Sequence, residues 1–253
     1  MSSRIVFEAL RLLTPRDVPG IAKARFGGAW DGGYVLLDRI DASAVVMSFG
    51  IGPSVAFDMD LAQRGHKILM FDHTIDQLPD VHPNFTWYHQ GISGVSAPDE
   101  QLFTLAEHMH KLPADAIDPI LKIDVEGAEW DALAAISPDQ LARFAQVTIE
   151  FHTLLQLDDP AFNARAQSAL QALNRHFAPV HVHGNNFGEM GFAGGFTVVD
   201  TLEVTYARRD RFATVTSATA YPTRHDTPNF DEKPDFLLWF YPFTPGSDAL
   251  DLA

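Results

Sequence analysis

The stretch Ile120-Leu-Lys-Ile-Asp-Val-Glu-Gly-Ala-Glu-Trp-Asp-Ala-Leu133 decides how this chain is read. A short apolar run meets three charged side chains, then a glycine, then a segment with helical spacing. Strand side chains alternate with period two, so Lys122, Asp124 and Glu126 fall on one face. A cation and two carboxylates at the end of a buried strand are costly unless they pair or take part in chemistry. In open α/β sheets ligands bind beyond the carboxyl ends of the strands. The stretch therefore reads as a site at a strand end.

Outward from it, strands and helices alternate. Strands are expected at Ala44–Phe49, Lys67–Phe71, Phe85–His89, Ile120–Asp124, Gln146–Phe151, Pro179–His183 and Thr201–Ala207. Helices are expected at Ile5–Leu13, Ser54–Arg64, Glu100–His110, Ala128–Ile136 and Pro160–His176. Gly65 would end the second of these helices. Phe26–Leu37, with two Gly-Gly pairs, reads as a tight turn feeding a strand. Such alternation implies βαβ units, a parallel sheet and right-handed crossovers. One α/β domain is expected over 1–253, with an N-terminal helix and Gly-rich turn at 1–40, a core at 41–207 and an excursion and tail at 208–253. Within that last part, Ala213–Lys233 is polar, and Phe236–Tyr241 is a dense apolar run expected as a strand or a docked tail.

The 253 residues carry a net charge of −15, 46% hydrophobic residues and no cysteine. The charge argues against a nucleic-acid binder or a protein of anionic membrane surfaces. Without cysteine there is no disulfide, thiolate nucleophile, zinc-thiolate site or iron–sulfur cluster. Arg4, Glu8 and Arg11 interrupt the apolar positions near the N-terminus, unlike a secretory leader. No apolar run approaches the ~20 residues of a membrane span. A soluble cytoplasmic protein is expected.

Ser48-Phe-Gly-Ile-Gly-Pro-Ser54 lies between a strand and a helix, where glycine lets the backbone turn sharply and approach a ligand. Asp72 ends the next strand about 20 residues on, the spacing at which a carboxylate reaches a ribose hydroxyl pair. Together they indicate an adenosine-containing cofactor. A dinucleotide site would use a third glycine at the helix start. Here Pro53 and Ser54 stand in its way, which favours S-adenosylmethionine over NAD.

Lys122-Ile-Asp-Val-Glu-Gly-Ala-Glu-Trp130 resembles the signature of the FkbM-like S-adenosylmethionine-dependent methyltransferases. Asp31-Gly-Gly-Tyr-Val, Ser48-Phe-Gly-Ile-Gly and Phe71-Asp72 are similar to segments that accompany it in one branch of that family. The resemblance runs from about Gly27 to Tyr206. It implies an α/β, Rossmann-like seven-strand methyltransferase sheet, mostly parallel with an antiparallel last strand and helices on both faces. It also implies methyl transfer to an oxygen of a small molecule, often a sugar or natural product. Gly50 and Gly52 would contact the donor, Asp72 would hold its ribose, and Gly91-Ile92-Ser93 would lie near the adenine. Asp124 would sit beside the methionine end or the acceptor. The chain departs from the usual pattern at Ser48, where an acid is common, so Asp31 is a candidate to supply the missing hydrogen bond.

Glu150-Phe-His152 and His181-Val-His183-Gly-Asn-Asn186 end the next two strands. Asp124, Glu126, Glu150, His152, His183, Asn185 and Asn186 are thus expected around one cleft. An acceptor hydroxyl must lose its proton, and histidine is the natural base near neutral pH. Either His152 or His183 fits. A divalent metal on Asp124, Glu150 and His152 is the other candidate, and a structural polar network the third. Lys122 is expected to pair with a neighbouring carboxylate, and Trp130 to pack its helix on the sheet. Asn185-Asn186 suits acceptor hydroxyls or turn chemistry equally, and Gly191–Gly195 a lid or a plain loop. Rival readings of the whole chain are a nicotinamide-dependent oxidoreductase and a non-catalytic cofactor-binding module.

Overall fold

The computed structural model describes residues 2–247. Seven strands make the main sheet: β1 (Val45–Phe49), β2 (Lys67–Phe71), β3 (Phe85–Tyr88), β4 (Ile120–Ile123), β5 (Gln146–Phe151), β6 (Phe177–Gly184) and β7 (Leu202–Arg208). Their order across the sheet is β6-β7-β5-β4-β1-β2-β3. All neighbours are parallel except those of β7, which runs antiparallel to β5 and β6. This is the Rossmann-like seven-strand arrangement expected from the sequence. The helices are α1 (Ser2–Arg11), α2 (Ala56–Gln63), α3 (Leu105–His108), α4 (Glu129–Ala135), α5 (Pro138–Leu141) and α6 (Pro160–Asn174). None among the described residues is long and apolar enough to cross a membrane.

Strand alternation sends side chains to two cores. Met47, Phe49, Leu69, Phe71, Leu121 and Ile123 pack on one face with residues of α1, α4 and α6. Val46, Ile68, Met70 and Ile120 pack on the other, with α2 and the hairpin Lys23–Phe26/Tyr34–Leu37. Trp130 behaves as expected: it is fully buried, stacks on Phe151 at 4.5 Å and donates its indole N–H to the His152 carbonyl.

The second face changes character toward the carboxyl ends of its strands. Ser48 is registered against Lys122, Lys122 against Thr148, and Thr148 against Thr205. One step further, Glu150 is registered against Glu203 and Glu203 against His183. Register partners share a face, so a buried polar band continues where the apolar core stops. At its edge β1 and β4 come very close. A Cβ on Gly50 would sit 1.5 Å from the Asp124 carbonyl oxygen, and Gly50 has φ +74°. Only glycine allows that approach.

Two expectations are corrected, and of the two alternatives at Phe236–Tyr241 the docked tail is found. Glu100–His110 is not one helix. Gln101 adopts φ 58°, and the segment divides into a turn of 3-10 helix, the short strand Leu102–Phe103, and α3. Thr104 and Glu107 form a capping box that starts α3. Gly194 and Gly195 turn the hairpin Met190–Ala193/Phe196–Val199. Phe236–Tyr241 forms no strand; it docks, burying Leu238 and donating the Leu238 N–H to the Tyr221 carbonyl. The last residues of the expected tail, 248–253, lie outside those described.

Candidate functional site

A cavity of about 460 Å³ opens at the carboxyl ends of β2, β1 and β4. Gly91 and Ile92 line one end, Asp72 and the Gly50–Ser54 loop the middle, and Lys122, Asp124 and Glu126 the other end. Asp31 and Gly32 reach it from the hairpin side.

Asp72 holds the loop in shape. Its Oδ2 accepts from the backbone N–H of Ile51 (2.9 Å) and Gly52 (3.1 Å), and its Oδ1 from Thr74 N (2.8 Å) and Oγ1 (2.7 Å). Burial alone would raise its pKa, but the hydrogen bonds from Thr74, Gly52 and Ile51 hold it below the ordinary value. Lys122 donates to the carbonyls of Gly50 and Phe49 and lies 3.4 Å from Asp124 Oδ2, the pairing expected of it. The same Oδ2 accepts the Tyr34 hydroxyl at 2.7 Å. Burial and the Asp124 charge hold that phenol well above its usual pKa.

Beyond Asp124 the polar band is closed. His152 Nδ1 lies 3.2 Å from Glu129 Oε1, and Nε2 lies 3.2 Å from Glu150 Oε1 and 3.5 Å from Glu126 Oε2. Burial would lower the imidazole pKa, but Glu129 and Glu150 outweigh it and push it up to about 11. Burial also raises Glu150. The proton of this pair sits on the ring, which has a second carboxylate on its far nitrogen. His183 is built the same way, with Glu203 at 3.1 Å on Nδ1 and Asp235 at 3.0 Å on Nε2. Burial opposes its protonation, yet the two carboxylates raise it to about 10.

The Ala213–Lys233 excursion and its continuation supply the cover. His181 pairs with Asp226 at 2.7 Å. Asn229 donates to Glu203 Oε1 (2.6 Å) and Asp31 Oδ1 (3.1 Å). Asn186 donates to the carbonyls of Phe230 and Lys233 and accepts from Phe230 N. Asn185 donates to Glu150 Oε1 at 3.1 Å.

The expected residues therefore separate. Asp31, Gly50, Gly52, Asp72, Ile92, Asp124 and Glu126 border the cavity. Ser93 does not border it and donates its hydroxyl to the Val95 carbonyl. His152, Glu150, His183 and Asn186 lie in the covered network. Asp124, Glu150 and His152 can bring ligand atoms within 4.8 Å of one another. Their charges are already matched, however, by Lys122, by each other and by Glu129. An ammonium 3.4 Å from Asp124 opposes a divalent ion there, so no step is routed through a metal.

Sequence reading missed Tyr34, Asp58, Glu129 and Glu203. Asp58 left a signal: with Leu61 and Ala62 it occupies the buried stripe of α2, where an apolar residue belongs. Glu203 left one too, alternating with Leu202 and Val204 on a strand otherwise read as core.

No family model matches the chain, and no curated protein matches it. Solved structures give remote likenesses. A protein described as a hemolysin from Streptococcus thermophilus is 11% identical over 67% of this chain and 61% of that one, with TM-score 0.34. A protein described as a methyltransferase from an antibiotic biosynthesis pathway of Anabaena variabilis is 14% identical over 73% and 66%, with TM-score 0.33. The 1,6-didemethyltoxoflavin-N1-methyltransferase of Burkholderia thailandensis, solved with 1,6-didemethyltoxoflavin and S-adenosylhomocysteine, is 13% identical over 66% and 71%, with TM-score 0.32. The chain spans less than two thirds of the length of the first two.

Proposed function

We propose that this chain is an S-adenosylmethionine-dependent methyltransferase acting on a hydroxyl of a small, hydroxylated molecule. The observation that carries the proposal is how the glycine loop spends its donors. A pyrophosphate needs free backbone N–H groups at the loop and helix start. Here the N–H groups of Ile51 and Gly52 are given to Asp72, and Pro53 has none. The cavity is instead bordered by five carboxylates, of Asp31, Asp58, Asp72, Asp124 and Glu126, and one lysine, Lys122. That lining suits a ligand with hydroxyls and positive charge and repels a dianion, which favours a sulfonium nucleoside over a dinucleotide. The resemblance of Lys122–Trp130 to the FkbM-like enzymes supports the same reading.

Gly50, Gly52 and Ile92 would hold the donor, with Asp72 fixing the loop through its bonds to Ile51 and Gly52; the donor supplies a methyl group on positive sulfur, open to displacement by oxygen. The protein's part is positioning, exclusion of water and acceptance of one proton. Asp124 suits the last task. Tyr34 and Lys122 fix its Oδ2, leaving Oδ1 for an acceptor hydroxyl. Asp31 and Glu126 border the same space and can accept from further hydroxyls. In this proposal His152 and His183 act as fixed cations that hold the acids in place, because each ring lies between carboxylates.

The test is transfer of a labelled methyl group from S-adenosylmethionine to a panel of sugars and phenolic natural products, with NADH binding measured in parallel. Label on an acceptor oxygen is expected. Tight NADH binding with no affinity for S-adenosylmethionine would contradict the proposal.

A further inference from the structure

We infer that Asp58 anchors the ammonium group at the amino-acid end of the methyl donor. The inference rests on the methyl-donor reading above and assigns one end of that ligand.

Asp58 stands in the first turn of α2, is 2% exposed, and lines the cavity. Its Oδ1 has no donor in good hydrogen-bond geometry; the nearest side-chain donor is the buried hydroxyl of Ser48, a neutral group that leaves the carboxylate without a cation of its own. Buried acceptors of this kind are rare, and an unmet one facing a cavity points to a ligand. Asp60, two residues along, shows the contrast: its Oδ2 is met by the Gly27 N–H at 2.8 Å. Lys122 does not meet the need of Asp58, since its ammonium is placed on Gly50, Phe49 and Asp124. Burial pushes the Asp58 carboxyl up to about 6, against the pull of Lys122 and Ser48, so it is largely ionised at neutral pH.

The position selects the ligand group. Ser48 on β1 and Lys122 on β4 are register partners, and Asp58 faces both. Asp58 thus stands over the β1–β4 pair, while Asp72 follows β2, on the other side of β1. With the nucleoside at the β2 side, the amino-acid end reaches Asp58. A sulfonium has no N–H to give, whereas an ammonium has three donors. The Ser48 hydroxyl lies beside the same carboxylate and can serve the neighbouring polar group.

The experiment compares two ligands by calorimetry on the full chain. S-adenosylhomocysteine carries the amino-acid end; 5′-methylthioadenosine lacks it. Asp58→Asn, which keeps the side-chain shape, is expected to weaken S-adenosylhomocysteine about 10- to 100-fold, as losing a charge-assisted hydrogen bond does. Methylthioadenosine affinity should stay within about twofold of wild type. Asp58→Ser serves as a second variant, and thermal melts verify folding of both. Unchanged S-adenosylhomocysteine affinity, or equal weakening of both ligands in a folded variant, would overturn the assignment while leaving the donor reading intact. If wild-type protein binds neither ligand, the donor reading fails and the assignment with it.

Discussion

Two halves of one sheet edge are built from the same kinds of residue to opposite ends. At β2, β1 and β4 the carboxylates border a cavity, and Asp58 and Asp124 keep oxygens without protein partners. At β5, β7 and β6 every acid named above faces a histidine or an asparagine, and Asp226, Asn229, Phe230 and Asp235 of the 213–247 segment close over His181, His183, Glu203 and Asn186. The first half is poised for a ligand. The second satisfies itself. Buried polar groups need partners wherever they are; what differs is whether the chain or a ligand supplies them.

Asp124 stands at the seam, and its substitution should have the largest effect. Asp124→Asn is expected to lower kcat by about 100- to 10,000-fold, the usual range for losing a general base, with donor affinity changed far less. Single-turnover kinetics separates the two quantities, and near-normal kcat would remove Asp124 from its role. Next comes Gly50→Ala, which drives a methyl group into the Asp124 carbonyl. A loss on the order of 3 kcal/mol in stability is expected from such overpacking at positive φ, with donor binding abolished. An unchanged melting curve would show that the approach of β1 to β4 is looser than described.

In the covered half the expectation reverses. His183→Ala leaves the buried Glu203 and the half-buried Asp235 without their cation, a change that costs about 3–5 kcal/mol in comparable pairs. Limited proteolysis should then cut within 213–247, while S-adenosylhomocysteine affinity holds within about twofold. Donor binding that falls with the cover would show the halves to be coupled. A gentler probe is pH. His152 and His183 have folded pKa values raised to about 11 and 10. Their contribution is complete below the unfolded value near 6.5 and is lost as pH climbs through the folded values. Urea midpoints should therefore fall steadily from pH 7 to 10, and the fall should shrink in His183→Ala.

The open half was legible because its parts lie at strand ends close in sequence. Ser48–Ser54, Asp72 and Lys122–Glu126 each lie at or just after an apolar run; period-two alternation fixes the face of Ser48 and Lys122, whereas Glu126 lies past the strand end with φ 53°. The covered half joins residues far apart: Asp31 to Asn229, His183 to Asp235, Asn186 to Phe230. Such pairs leave no periodic trace in one sequence, so histidines that look like free bases turn out to be held between acids. Asp58 lies between these cases. Its charge on a buried helical stripe was visible, and only the packing of α2 on Ser48 and Lys122 shows what it faces. Glu100–His110 is a misreading of a different kind: its apolar spacing suggests one helix, while the Thr104/Glu107 capping box marks a start inside it.

The division between the halves is tested most directly by amide hydrogen exchange with saturating S-adenosylhomocysteine, and separately with NADH. S-adenosylhomocysteine is expected to slow exchange at Gly50–Ser54, Asp72–Thr74 and Gly91–Ile92 and to leave 213–239 unchanged, and NADH to change neither region. Protection by NADH at the glycine loop, or no protection there by S-adenosylhomocysteine, would contradict the reading of the open half as a methyl-donor site.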